Sequence, residues 1–237
     1  KDFKPIGMGT EKIKDELQSL FPDARIARAD RDEITSRKDL EQLLEKITKH
    51  EIDIIVGTQM IAKGHEFPQL TLVGTLMADI GLHFPDFRSS ERTFQLLTQV
   101  AGRAGRHEKS GEVIVQTYLP EHPAVHFSVS HDFRGFAEKE LSVRKELGYP
   151  PFGKMAVIRF QGSSLDKTES IADQAVIEIQ ELKKLNSNYS HIEVLGPAES
   201  ALSKLKNKYR YQIMLKGPSA RDLNIFLKHF VNHAEKW

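Results

Sequence analysis

"IDIIVGTQMIAKGHEFP", residues 52–68, begins as a nearly all-apolar run and turns abruptly into small, polar and basic residues. An unbroken apolar run this short suits a strand buried on both faces of a parallel sheet. The loop "VGTQMIAKGHEFP", residues 56–68, then leaves the carboxyl end of that strand, where ligands bind in doubly wound α/β sheets. Thr58, Gln59 and Lys63 can hydrogen-bond a row of phosphates, and Gly57 and Gly64 allow the backbone to come close. A plain surface loop is the alternative at this point.

Working outward, short apolar runs alternate with helical patterns on both sides. Upstream, "FKPIG" reads as a strand, and Thr10 opens a helix with Ile13, Leu17 and Leu20 on one face. Pro22 ends that helix, and "ARIARA" is the next strand. Leu40, Leu43, Leu44 and Ile47 form an i, i+3, i+4, i+7 stripe. Downstream, "LTLVGTLMA" and "EVIVQTY" are two more strands. Strands separated by helices predict a doubly wound, mainly parallel α/β domain through residue 131.

Past "YLPEHP" the pattern changes. Residues 132–152 read as a charged helix ending at Gly148, followed by the stiff turn "GYPPFG". Residues 153–237 read as a smaller α+β domain. It comprises a strand ("KMAVIRFQG"), a helix over about 165–185, strands near "HIEVLG" and "YRYQIMLKG", and a last helix. Leu223, Phe226, Leu227, Phe230 and Val231 share one side of that last helix.

"QLLTQVAGRAGR", residues 95–106, ends an amphipathic helix that should break near Gly102. Arg103 and Arg106, each beside a glycine, suit a phosphate. They suit equally the C-terminal carbonyls of their own helix. A nucleotide also needs a glycine-rich cradle, and "GYPPFGKM", residues 148–155, nearly supplies one. Met155 stands where Ser or Thr must hold magnesium, and Pro150 and Pro151 remove two backbone N–H donors. Its order, helix then strand, is also the reverse of a phosphate loop. It is a turn.

The 237 residues carry a formal net charge of +1 and no cysteine, so any basic surface is local and thiolate metal sites are excluded. The absence of cysteine fits a reducing cytoplasm. No apolar run approaches the roughly 18 residues that span a bilayer, so no membrane partner is expected. The most basic stretch is "SKLKNKYRYQ", residues 203–212. Lys204, Lys206, Lys208 and Arg210 interleave there with Tyr209 and Tyr211, and no acid occurs from Ser203 to Arg221. Cations and rings suit nucleic acid; a solvated hairpin with its tyrosines packed inward is the alternative. His122 and His126 have i, i+4 spacing near His131, but no third ligand matches, so no metal site is expected.

The loop at 56–68 and the arginines at 103 and 106, in this order, resemble motifs V and VI of superfamily 2 helicases. "GTQMIAKGHEFP", "LLTQVAGRAGR", "LGYPPFGKMA", "LFPDARIARADRD" and "DFRSSERTFQLLTQ" are similar to the PriA family of replication-restart helicases (primosomal protein N′). The resemblance runs over essentially the whole chain. It implies that residues 1–131 are the second RecA-like lobe of an ATP-dependent 3′-to-5′ DNA helicase. Such a helicase recognises stalled or branched forks and restarts replication by primosome assembly. The phosphate loop, the magnesium-binding acidic motif and a zinc region precede this segment in the family. A fragment that is inactive alone is therefore expected, with ATP and magnesium bound only together with the first lobe.

By the same resemblance Arg106 is the arginine finger, Arg103 its companion and Gln99 the opening of motif VI. Glu66 matches a ribose-contacting acid, Gly64 a close approach to nucleotide, and Thr58, Gln59 and Lys63 the tracking-strand phosphates. Asp79, in "MADIGL", is implied to couple cleft and DNA. The C-terminal domain is implied to hold branched DNA and to help dock the acidic tail of single-stranded DNA-binding protein, through Lys216 or Arg221. Other primosome proteins are implied partners, and a monomer in the bacterial cytoplasm is expected. A related repair helicase and a non-catalytic recruiting module are the competing functions.

Overall fold

The apolar stripe of Ile13 and Leu17 produces the first helix, α1 (Thr10–Leu20), and the C-cap at Phe21 stops it one residue before Pro22. The computed structural model describes residues 9–58, 67, 70–102 and 111–234; the expected strand "FKPIG" lies outside them. β1 (Ile26–Ala29) follows, then α2 (Arg37–Thr48). A capping box opens α2: Ser36 Oγ accepts from the Asp39 amide at 3.2 Å, and Asp39 accepts from the Ser36 amide at 2.8 Å. β2 (Ile54–Gly57) pairs in parallel with β1, Ile26 opposite Ile54 and Ala29 opposite Gly57.

At the start of that pair, Asp53 takes hydrogen bonds from the Arg25 amide (2.8 Å) and guanidinium (2.9 and 2.7 Å). At its end, Asp30 is buried and accepts from the Thr10 hydroxyl, from Arg28 at 2.8 Å and from the amides of Asp32 and Glu33. Those donors, the Thr10 hydroxyl first and Arg28 next, hold the Asp30 carboxyl well below the usual carboxylate range. A buried carboxylate so fully bonded joins α1 to the end of β1 at little desolvation cost.

β3 (Leu72–Thr75) pairs in parallel with β4 (Glu112–Val115) across α3 (Asp79–Leu82) and α4 (Ser89–Ala101). Among the described residues these ladders form two separate two-stranded parallel sheets, not one continuous sheet. Thr93, Phe94 and Leu97 are the buried face of α4, and Leu97 packs with Ala78 and with Val125 of α5 (Pro123–Val129). His122 caps α5, its Nδ1 accepting from the Ala124 amide at 3.2 Å.

The chain divides into two units: residues 1–83 with 88–133, and residues 84–87 with 134–237. From Arg134 onward, the stretch 132–152 belongs to the second unit, which contains most of α6 (Phe133–Glu146). After α6 the turn 148–153 is forced tight. Gly148 has φ 62°, and a Cβ on Gly153 would stand 2.2 Å from the Gly148 carbonyl oxygen.

β5 (Lys154–Gly162), α7 (Leu165–Leu185), β6 (Glu193–Leu205), β7 (Lys208–Gly217) and α8 (Ala220–Ala234) complete the second unit. The three strands form an antiparallel sheet in the order β5-β7-β6. Along β7 the residues Tyr211, Ile213 and Leu215 are buried, alternating with half-buried Gln212, Met214 and Lys216. This period of two points one face at the helices. There Ile213 and Leu215 meet Ala175 and Ile179 of α7 and Leu223, Phe226 and Phe230 of α8 in a single core. Val231, expected on the same apolar side, is half exposed, because the buried stripe of α8 runs 223, 226, 230. β6 is longer than the "HIEVLG" signal suggests and carries irregularities at 195–198 and 199–204. At the first of these Gly196 has φ 104°.

Candidate nucleotide and nucleic-acid site

β2 is the strand that the opening stretch predicts, and it delivers Thr58, exposed, directly beyond its carboxyl end. Gln59, Lys63, Gly64 and Glu66 lie outside the described residues, as do Arg103 and Arg106. The helix that leads to the arginines is described. α4 carries half-buried Gln99 in its last turn and ends at Ala101, with the Gly102 amide bonded to the Thr98 carbonyl at 3.0 Å. The chain reaches Arg103 directly after that cap, as the glycine signal predicts.

The carboxyl ends of β3 and β4 are tied together by Asp79. Its carboxylate is buried and accepts from the Thr117 hydroxyl at 2.5 Å and from the Tyr118 amide at 2.9 Å. The Thr117 hydroxyl is the largest of the influences that hold the Asp79 carboxyl below its ordinary value, against the opposing effect of burial. Asp79 therefore braces the strand ends from within. Thr117 and Tyr118 were not legible as its partners, being 38 and 39 residues away. A folded-state pKa below the unfolded one means stability present above the ordinary carboxylate pKa and lost as pH falls through the depressed one. Asp79→Asn is expected to cost the first unit about 1–3 kcal/mol at neutral pH and to flatten its acid limb. Calorimetry from about pH 7 down to about pH 2 checks this; a parallel acid limb in both proteins would sink it.

The basic stretch forms the end of the β6–β7 hairpin, not one strand. Lys206 and Asn207 make its turn, both left-handed with φ 50° and 60°, and Lys206 is exposed at the tip. Alternation then divides the cluster between two faces of the sheet. Lys204 pairs with Tyr209 in the register, its ammonium 4.8 Å from that ring's centre and 3.4 Å from its hydroxyl. Lys208 and Arg210 point to the opposite face, the one that also carries Arg159 opposite Gln212. Tyr211 is only 7% exposed. Burial and a hydrogen bond with Glu169 push its phenol pKa up, so it belongs to the core and offers no stacking surface.

Lys216, expected to bind a partner, makes contacts within the second unit. Its ammonium lies 2.7 Å from Glu193, donates to the Leu147 carbonyl at 2.8 Å and sits 5.4 Å from the centre of the Tyr149 ring. It fastens the end of α6 to β7, a use that appears only when the register places Lys216 opposite Glu193. Arg221 is exposed in the first turn of α8.

Among the described residues no helix is long and apolar enough to cross a membrane. The class of protein is given by two family matches that follow one another along the chain, separated by residues 109–144. Residues 9–108 match the helicase conserved C-terminal domain, and residues 145–236 match the primosomal protein N C-terminal domain. The chain is 42% identical over 232 residues to replication restart protein PriA of Bacillus subtilis, covering 98% of this chain and 28% of that protein. It is 43% identical over 218 residues to the PriA of Treponema pallidum (92% and 32%), and 40% over 217 residues to that of Synechocystis (92% and 26%). The chain belongs to the PriA family, and it spans about a third or less of the length of these relatives.

Proposed function

We propose that this chain is the second motor lobe and C-terminal domain of an ATP-dependent, 3′-to-5′ DNA helicase that restarts replication at stalled or branched forks. The observation that carries the proposal is the paired family match, with a helicase lobe leading into a primosomal domain along one chain. The two parallel strand pairs are parts of a RecA-like doubly wound sheet, with the motif V loop leaving β2 and the motif VI helix being α4. Nucleotide with magnesium, held by the first lobe, supplies the phosphoanhydride to be hydrolysed. This chain presents Arg106 and Arg103 from beyond α4 to stabilise the charge that develops on the phosphate. Glu66 and Gly64 serve the nucleotide, and Gln99, which opens motif VI, links that site to the rest of the motor.

Thr58, Gln59 and Lys63 hold the phosphates of the tracking strand. Closure of the lobes on nucleotide and their release after hydrolysis move those contacts along the strand by a shift in populations. The chain alone holds half of the nucleotide site and is inactive by itself. ATP turnover of the full-length helicase carrying Arg106→Ala, with and without forked DNA, tests the proposal.

Lys206, Lys208 and Arg210 of the hairpin, with Lys204 and Tyr209 behind them, hold branched DNA. Arg221 serves the acidic tail of single-stranded DNA-binding protein. Reversing Lys206 and Lys208 to Glu is expected to weaken DNA binding about tenfold near 0.1 M salt and to lower the salt slope by about two. Fluorescence anisotropy over a salt series measures both. Unchanged affinity and slope, with recruitment of a protein partner lost instead, would assign the hairpin to protein.

A further inference from the structure

The β5-β7-β6 sheet turns one face to its helices, where Ile213 and Leu215 are buried in the core. The opposite face is open along much of its length: Val157, Arg159 and Gln161 are exposed on β5, and Leu195, Ala198 and Leu205 on β6. The register orders what stands there. Gln161 lies opposite Arg210, Arg159 and Ala198 lie opposite Gln212, and Val157 and Leu195 lie opposite Met214. Lys208 and Arg210 are two residues apart, roughly 7 Å along β7. Arg159, diagonal to Arg210, continues the row at a similar spacing. Among the described residues none of these cations is paired with an acid. The acid that the ladders place on this face, Glu193, stands at the far end and is taken by Lys216 at 2.7 Å.

Gln212 and Ala198, beside Arg159, also line a cavity of about 390 Å³. Its other walls are Tyr149, Met155, Leu195 and Met214, with Phe84–Phe87, a segment of the same unit. The Tyr149 ring is 5.8 Å from that of Phe87, whose centre lies 5.2 Å from the Arg144 guanidinium. Asp86 lines the cavity too, which repels a phosphate and leaves the space to an apolar, planar group.

From this juxtaposition we infer that the open face binds a single strand of nucleic acid, its phosphates on Lys208, Arg210 and Arg159 and one unpaired base in the cavity. A row of cations at that spacing suits successive phosphates. A base taken out of its stack presents a π-face to a ring such as Tyr149 and a polar edge to an amide such as Gln212. A duplex offers the same phosphates but keeps its bases paired and stacked, so the cavity separates the two forms. This inference rests on the reading that the hairpin cations hold DNA, and names the form of DNA held there.

The test uses the full-length helicase without ATP, fluorescence anisotropy over a salt series, and calorimetry to confirm that each variant is folded. The probes are a labelled single-stranded oligonucleotide and an abasic strand of equal length, which keeps the phosphates and lacks the bases. Contacts made elsewhere in the protein are common to every variant, so changes in the ratio of the two affinities report the cavity. Tyr149→Leu, which loses the ring, and Ala198→Leu, which narrows the cavity from an exposed position, are each expected to lower that ratio about fivefold. Arg159→Ala is expected to weaken binding of both strands about threefold near 0.1 M salt, to lower the salt slope by about one and to leave the ratio alone. If Tyr149→Leu does not fold, Ala198→Leu carries the result. An unchanged ratio in the folded cavity variants, or unchanged affinity and slope in Arg159→Ala, overturns the inference and leaves the face to an acidic segment of protein. Reversal of Lys206 and Lys208 to Glu is run beside them. Weaker DNA binding in that variant alone means that only the open face is misread. No change there either means that the DNA reading of the hairpin has failed.

Discussion

Arg106→Ala in the full-length helicase is expected to lower DNA-stimulated ATP turnover by about 10³-fold or more, with nucleotide binding largely retained. The asymmetry follows from when the charge is needed. On the proposed function, ground-state binding would be carried by the phosphate cradle and magnesium of the first lobe. A guanidinium delivered from the second lobe would act on charge that develops as the γ-phosphate transfers, so its loss would appear in kcat. Arg106→Lys is expected to recover little, because an ammonium lacks the planar fork that meets two phosphate oxygens at once. The measurement is turnover with and without forked DNA, beside nucleotide affinity, with the isolated chain as a control expected to show no turnover. Unchanged turnover in Arg106→Ala would leave both arginines as helix-end cations. Strong turnover from the isolated chain would remove the two-lobe account.

Phe226→Ala is expected to destabilise the second unit by about 3–5 kcal/mol. Phe226 is fully buried, its ring centre is 5.0 Å from that of Tyr189 in an edge-on arrangement, and it belongs to the core with Ile213, Leu215 and Ile179. Truncation removes the transfer free energy of the ring and leaves a cavity that α7, α8 and the sheet cannot close without moving together. That loss is a large share of the roughly 5–15 kcal/mol that stabilises a domain. It corresponds to a Tm lower by about 15 °C or more for a unit of this size. The neighbouring Ile225, 38% exposed on the same helix, is expected to tolerate alanine at no more than about 1 kcal/mol. Calorimetry on the two variants decides. Equal costs at 225 and 226 would mean that α8 is not seated as described.

Much of the fold was legible because it is local. The stripe through Leu40, Leu43, Leu44 and Ile47, and Gly102 after the amphipathic run, each encode a helix or its end within a few residues. The all-apolar run before Thr58 encoded a parallel strand in the same way. The candidate site was readable only as motifs, "GTQMIAKGHEFP" and "QVAGRAGR", that resemble those of a known family. What escaped depends on register. The cations of "SKLKNKYRYQ" look like one cluster along the chain, yet a turn at Lys206–Asn207 and a period of two send Lys204 and Lys208 to different faces.

The sequence by itself determined most of the longer helices and strands, the resemblance to a family, and the residue types available to phosphate and DNA, because each is written in patterns a few residues long. Only the tertiary structure decided that Asp79 braces Thr117 and Tyr118, that Lys216 fastens β7 to the end of α6, and that Phe87 stands between Arg144 and Tyr149. Those partners lie 38 or more residues apart along the chain, with Phe87 and Tyr149 farther apart than Asp79 and Thr117. Nothing local encodes such a pairing. It arises when burial fixes the register of strands and the seating of helices, and so brings distant polar and aromatic groups within a few ångströms.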